Sequence, residues 1–300
     1  MHIGIDLGGT KIEALLLDTT GQALWRKRVA TPQGQYQATL ESLQALVLEA
    51  EQVAGQACSV GLGTPGTISP ATGLTKNSNS TVLNGKPFKA DLEQLLQRSL
   101  AMANDANCFA LSEATDGAAV GANVVFGVIV GTGTGAGIVV NGNVLLGANA
   151  IAGEWGHNPL PWPTPTELAG KPCYCGKQGC IETWLSGPSF EAQYTALSGE
   201  VLKAQQIVAL AAQQAMAKQV VQAYSRRLAK CLAHVINILD PDVIVLGGGL
   251  SNIQRLYTDV PKLWGQYVFS DHVSTRLVPP YYGDASGVRG AAWLGAQLPR

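Results

Sequence analysis

Two stretches decide the fold when laid side by side: HIGIDLGGTKIEALLLDTTGQAL, residues 2–24, and FGVIVGTGTGAGIVVNGNVLLG, residues 126–147. Each reads as a strand, a glycine turn, a second strand and a hairpin turn. Superposed, Gly9 falls on Gly133 and Thr10 on Thr134, and Asp18-Thr19 falls on Gly142-Asn143. The period is too long for a solenoid, so this is a duplication at domain scale. Each copy opens with a hairpin whose turn can face a phosphate.

The segments around the two copies predict alternating strands and helices. Residues 35–54 carry Tyr36, Leu40, Leu43, Val47 and Ala50 at helical spacing. CSVGLGTPGTIS reads as a buried strand running into a Pro-Gly turn. DLEQLLQRSL reads as a short helix, and AMANDANCFAL as a strand whose end opens another helix. A helix-rich stretch covers 189–238, and a helix at 220–239 aligns Val221, Tyr224, Leu228, Leu232, Val235 and Leu239. DVIVLGGGL is a strand and SGVRGAAWLGAQL a closing helix. Such alternation predicts mixed α/β sheets, and the duplication predicts two such domains with a cleft between them.

Composition narrows the function. The chain has 300 residues, enough for one large domain or two ordinary ones, and a formal net charge of −1. That charge gives no electrostatic case for nucleic acid or a membrane surface. Six cysteines are too few for a disulfide scaffold, and Cys58, Cys108 and Cys231 stand alone in apolar settings, as core residues do. The N-terminus opens straight into a strand, so no signal peptide is expected and the cytoplasm is the expected home. Residues 117–153 lack any charge, yet Gly131, Gly133, Gly135, Gly137 and Asn141-Gly142 interrupt the run. A spanning helix needs about 20 predominantly apolar residues, so two buried strands are the better reading.

Five motifs carry chemistry. DLGGTK, with Asp6, Gly8, Gly9, Thr10 and Lys11, can turn backbone N–H groups toward an anion. It lacks Walker A spacing, and a strand follows it, unlike a dinucleotide fingerprint. GTGTGAG, with Thr132, Gly133, Thr134 and Gly135, is its counterpart in the second copy. Either alone is compatible with a plain hairpin; two at equivalent points can clasp a triphosphate. Gly247, Gly248 and Gly249 follow the strand DVIVL, where a flat adenine ring can approach; an ordinary strand-to-helix turn is the alternative. ANDAN sets Asp105 after a strand end, where a carboxylate can act as general base toward a hydroxyl, with Asn104 beside it. A turn or helix cap is the plainer alternative.

The fifth motif is CYCGKQGCIE, residues 173–182, downstream of GEWGH. Cys173, Cys175 and Cys180 with His157 can complete a tetrahedral zinc shell, and Gly176 and Gly179 supply the freedom for a tight knuckle. A disulfide plus a spare thiol is the alternative. Glu154 and Glu182 flank the knuckle, which suggests a polar substrate pocket.

Together DLGGTK, TPG, ANDAN, GTGTGAG, GEWGH, CYCGKQGCIE and VIVLGGG resemble the ROK family of sugar kinases along nearly the whole chain. KNSNST, GEWGHNPLPW and DPDVIVLGGG look closest to its bacterial fructokinase/mannokinase branch. The resemblance implies a duplicated actin-like ATPase fold of the hexokinase-like, ribonuclease H-like kind, using ATP and Mg²⁺. It implies domains at 1–120, joined by a C-terminal helix at 288–300, and at 121–287. Asp105 would take the proton of the sugar's 6-hydroxyl. Asn104, Glu154, His157 and Glu182 would hold other hydroxyls, with Gly66 and Asn79 completing the pocket. His157 would put one ring nitrogen on zinc and the other toward the sugar. A homodimer is expected, with fructose as substrate and mannose weaker. Glucose, allose and N-acetylglucosamine are alternatives. A repressor is disfavoured because Met1 stands just ahead of the first strand, and a dead sensor because Asp105 and both loops are present. The proline-rich run at 160–171 has no assigned role.

Overall fold

The structure is a computed structural model that describes residues 1–298. β1 (His2–Leu7) and β2 (Lys11–Leu17) form an antiparallel hairpin closed by the pair Leu7 and Ile12. β3 (Ala23–Ala30) adds to β2, and α1 (Tyr36–Ala54) returns the chain to β4 (Ser59–Thr64), parallel to β1. A two-residue hairpin, β5 (Thr67–Ile68) and β6 (Thr75–Lys76), and α2 (Phe88–Leu96) lead to β7 (Ala101–Asn104) and α3 (Asp105–Thr115). The sheet order is β3-β2-β1-β4-β7.

The sequence explains this order. β1 and most of β2 are buried on both faces, as unbroken apolar runs are. β3 alternates between exposed and half-buried residues, and Arg26, Lys27 and Arg28 keep this edge from pairing with another chain. Arg26 and Arg28 both bond the buried Glu13 of β2, Arg28 through Nε at 2.7 Å. α1 lays Leu40, Leu43, Val47 and Ala50 into the core, as their spacing predicts.

The second copy repeats the plan. β8 (Val124–Val130), β9 (Thr134–Val140) and β10 (Asn143–Val144) precede the helices α4 (Glu182–Leu185), α5 (Gly187–Ser198), α6 (Ala204–Leu210) and α7 (Ala215–Leu239). β11 (Val243–Gly247), α8 (Leu256–Trp264), β12 (Arg276–Val278) and α9 (Ser286–Ala296) follow. The order β10-β9-β8-β11-β12 matches the first sheet position for position. The duplication seen in two hairpins therefore extends to whole sheets.

α7 begins before the expected 220. It buries Val221, Tyr224, Leu228 and Leu232, but near its end Ile236 takes the core place while Val235 and Leu239 are only half-buried. The expected closing helix at 288–300 is α9; positions 299–300 lie outside the described residues. Cys58, Cys108 and Cys231 are buried, as expected.

By contact the chain divides into two compact units. One comprises Met1–Gly121, Gly137–Ala152 and the segment from Tyr281; the other comprises Ala122–Ala136 and Gly153–Pro280. Residues 137–152, inside the range expected for the second domain, thus group with the first.

In the first unit α9 lies directly on the sheet because two strands carry glycine where it crosses. A Cβ on Gly61 would stand 1.8 Å from the carbonyl oxygen of Ala291, and one on Gly4 would stand 2.1 Å from that of Val288. Gly61→Ala is therefore expected to push α9 off the sheet. Overpacked cores lose about 1–3 kcal/mol, occasionally more. A lower urea midpoint at unchanged slope would record the loss; an unchanged midpoint would mean that the helix shifts freely.

The proline-rich run at 160–171 is tied to α7. The buried Glu167 accepts from Arg227 Nε at 2.5 Å and Lys230 Nζ at 3.4 Å, and Lys230 also donates to the Trp162 carbonyl at 2.6 Å. Burial alone would raise the Glu167 carboxyl, but the Thr164 N–H, Arg227 and Lys230 hold it down at about 2. The segment serves as a strap beside the knuckle.

Candidate functional site

Each sheet collects its motifs at one edge. β1, β4 and β7 run parallel, pairing Asp6 with Gly63 and Thr64 with Asn104. The first glycine turn, the Pro-Gly turn and Asp105 therefore all leave the sheet at the carboxyl ends of its strands, where open α/β sheets bind ligands. β8 and β11 are parallel too, pairing Ile129 with Gly247, so Gly131 and Gly248 emerge together.

In the first unit the glycine turn is closed by Gly8 N–H on the Lys11 carbonyl at 2.9 Å. Thr31 Oγ1 donates to the Gly8 carbonyl at 2.7 Å and Gln33 Nε2 to the Gly9 carbonyl at 3.0 Å. Gly9, Thr10 and Lys11 stay exposed at the tip. Thr31 and Gln33 were not expected from sequence; no motif marks them.

Asp105 opens α3. Asn104 is the cap, its Oδ1 accepting Asn107 N–H at 2.8 Å, while Asp105 Oδ1 accepts Ala106 N–H at 2.8 Å. The cap reading of ND is thus correct for Asn104 and leaves the second carboxylate oxygen of Asp105 for a ligand. Solvent reaches Asp105, yet protein crowds it enough that lost hydration raises its carboxyl, against the lowering by backbone N–H groups. Asp6 lies near it. Burial first, then the charges of Asp105 and Glu13, push its carboxyl up to about 6, with Lys11 opposing. Two crowded carboxylates suit a hard divalent cation, so Asp6 fits a Mg²⁺ site.

Gly66 has φ +79°, and a Cβ there would stand 2.4 Å from the Lys76 carbonyl and 2.7 Å from Ser78 N. Its role is to let the 76–78 backbone pass. Asn84 then pins that loop, its Oδ1 accepting Ser78 N–H at 2.9 Å and its Nδ2 donating to the Ser78 carbonyl at 2.8 Å. The exposed Asn79 follows and lines a cavity of about 280 Å³ with Gly9, Thr31, Gln33 and Ser80. Gly66 therefore meets the backbone that leads directly into Asn79.

In the second unit His157 and the knuckle cysteines converge. Their ligand atoms lie within 4.8 Å of one another. Cys173 Sγ is 3.6 Å from His157 Nδ1, and Cys175 Sγ is 3.6 Å from Cys180 Sγ. Disulfide sulfurs sit about 2.05 Å apart, so the disulfide alternative fails. Zinc–thiolate bonds of about 2.3 Å give a tetrahedral edge of roughly 3.8 Å, which these separations match. The donor set fits a structural zinc. Gly176 at φ +86° and Gly179 at φ +73° turn the knuckle.

The other ring nitrogen of His157 is engaged by Tyr174, whose hydroxyl is 3.0 Å from Nε2. The resemblance implies that this second nitrogen faces the sugar; here it faces the Tyr174 hydroxyl. Glu154 precedes the short turn Trp155–His157, its carbonyl accepting the His157 N–H at 3.3 Å. Glu182 opens α4, and its Oε2 accepts the Thr134 N–H of the second glycine loop at 2.9 Å.

A cavity of about 510 Å³ is lined by Gly131, Thr132, Gly187, Pro188, Lys203 and Gly249. It unites the second glycine loop with the third glycine motif. The two later glycines of that motif differ in task. Gly248, at φ +81°, packs on the Val130 backbone, whereas nothing lies within 4 Å of a Cβ on Gly249, so a flat ring can approach there. Gly187 and Pro188 escaped the sequence reading, although SGP, with proline at a helix start, signalled that helix.

The ROK family model matches residues 2–297. Curated relatives include an N-acetyl-D-glucosamine kinase of Yersinia pseudotuberculosis, 40% identical over 299 residues and covering 98% of each chain. Among solved structures, a ROK hexokinase from Thermus thermophilus is 31% identical with a TM-score of 0.86, covering 98% of this chain and 97% of its own. A ROK family glucokinase from Streptomyces griseus, solved with glucose and AMPPNP, is 26% identical with a TM-score of 0.76, covering 99% of both chains. The fold is accordingly the hexokinase-like, actin-like ATPase fold expected. The narrower expectation of a fructokinase/mannokinase branch finds no support in these relatives, whose names carry other sugars.

Proposed function

We propose that this chain, which belongs to the ROK family, transfers the γ-phosphoryl group of ATP to the 6-hydroxyl of a hexose, with Asp105 as the base. The observation that carries this reading is the shared strand edge. Asp6, the first glycine turn and Asp105 leave the parallel strands β1 and β7 on one side of one sheet. Phosphoryl transfer depends mainly on alignment and charge neutralisation, and these residues supply an anion-facing turn, a cation-holding carboxylate and a base. Mg²⁺, when bound at Asp6, would neutralise charge on the phosphates. The second glycine loop with Gly249 would take the rest of the nucleotide. Asn79, Asn104, Glu154, His157 and Glu182 would read the sugar, and zinc on His157, Cys173, Cys175 and Cys180 would brace that pocket. A homodimer is part of this reading, on family resemblance alone. Among the described residues no helix is long and apolar enough to cross a membrane.

For the sugar we propose fructose, with mannose weaker, on the strength of KNSNST, GEWGHNPLPW and DPDVIVLGGG. N-acetylglucosamine is the second reading, favoured by the name of the relative at 40% identity. Discrimination arises when the wrong epimer leaves buried hydrogen-bonding groups unpaired. An ADP-release assay with fructose, mannose, glucose, allose and N-acetylglucosamine tests both readings. Fructose is expected to exceed glucose in kcat/KM by roughly tenfold, or about 1.4 kcal/mol. Faster turnover of N-acetylglucosamine would select the second reading; no turnover of any sugar would point to a sensor.

A further inference from the structure

The second glycine loop is gripped by the segments that carry the knuckle ligands. Thr134 N–H donates to Glu182 Oε2 at 2.9 Å, and Glu182 stands two residues after Cys180. A Cβ on Gly133 would lie 2.8 Å from that same oxygen, so glycine there leaves the carboxylate its place. Gly156, next to His157, meets the loop from another side: a Cβ on it would stand 1.9 Å from the Thr134 carbonyl oxygen. The Gly131 carbonyl accepts Gly187 N–H at 2.7 Å, and Gly131 N–H donates to the Gly133 carbonyl at 3.0 Å.

A glycine-flanked peptide turns over easily unless something fixes it. A carboxylate on a backbone N–H makes a charge-assisted bond, roughly twice as strong as a neutral one. We propose that Glu182 is a positioning residue for the nucleotide. It locks the Gly133–Thr134 peptide, and so holds Gly131 and Thr132 in the conformation that lines the 510 Å³ cavity. Through Cys180 and Glu182 the metal knuckle then sets the shape of the phosphate loop, in addition to any sugar reading by the same side chain. This inference rests on the kinase reading.

The test is nucleotide binding without sugar. The zinc-loaded protein, its Glu182→Ala variant and its Glu182→Gln variant are titrated with a non-hydrolysable ATP analogue by calorimetry, with zinc content measured on each. Glu182→Ala is expected to bind the analogue about tenfold or more weakly with zinc retained. Glu182→Gln, whose amide oxygen can still accept the Thr134 N–H, is expected to recover most of the affinity. Wild-type affinity in Glu182→Ala overturns the proposal and confines Glu182 to the sugar. If Glu182→Ala loses zinc or fails to fold, Glu182→Leu, which fills the space without an acceptor, replaces it: weakened binding with zinc retained supports the proposal and unchanged binding overturns it. A wild-type protein that binds no ATP analogue overturns the kinase reading itself, and this inference with it.

Discussion

Replacing Asp105 by asparagine is expected to lower turnover by about 10²–10⁴-fold, the range a general base contributes, with further loss if alignment suffers. The variant keeps the shape and the oxygen that accepts Ala106 N–H, so α3 should still begin in the same place. Sugar affinity should be partly retained, because other side chains would read the remaining hydroxyls. Turnover within a few-fold of wild type would remove Asp105 from the role of base. The acid limb of the pH profile gives a second readout. Lost hydration raises the Asp105 carboxyl, and burial with two neighbouring carboxylates raises Asp6 to about 6. A base must be ionised to act. Wild-type kcat/KM should therefore begin to fall at a pH above the ordinary carboxylate range of about 4. Saturating Mg²⁺ should move that limb to lower pH, since a cation favours the ionised form.

Cys175→Ala is expected to abolish metal binding and to weaken sugar binding together. Cys175 is the exposed member of the cluster, so its loss makes no cavity in the core. Yet the knuckle holds the segment that carries His157: Ile181 N–H bonds the Asn158 carbonyl at 2.8 Å, and Leu160 N–H bonds the Gly179 carbonyl at 3.0 Å. Structural zinc contributes folding energy outright, so without it this pairing should loosen. Metal analysis should give about one zinc per wild-type chain and none for the variant, with the sugar KM raised well over tenfold. Active protein with no bound metal would show that the cluster has another task.

Much of this was legible in the chain because it depends on local chemistry. The turn residues of DLGGTK and GTGTGAG had to form hairpins, and their similarity predicted two equivalent sheets. Cys173, Cys175 and Cys180 are near in sequence and could hardly avoid meeting. Leu40, Leu43, Val47 and Ala50 had one face to bury. Motif order along the chain also carried the family, since each motif is a short, specific string.

The sequence by itself determined the duplicated α/β fold, the two glycine turns, the candidate metal ligands and the candidate base. Only the tertiary structure decided what each side chain does with its partners. It gave His157 Nε2 to Tyr174 and Thr134 N–H to Glu182, pairs separated by 17 and 48 positions. It made Gly66 a passage for the 76–78 backbone, and it set Gly187 and Pro188 against the second glycine loop. Such contacts depend on where separate elements come to rest within a few tenths of an ångström. No periodicity or spacing encodes that, because it is fixed by the packing of all the elements at once.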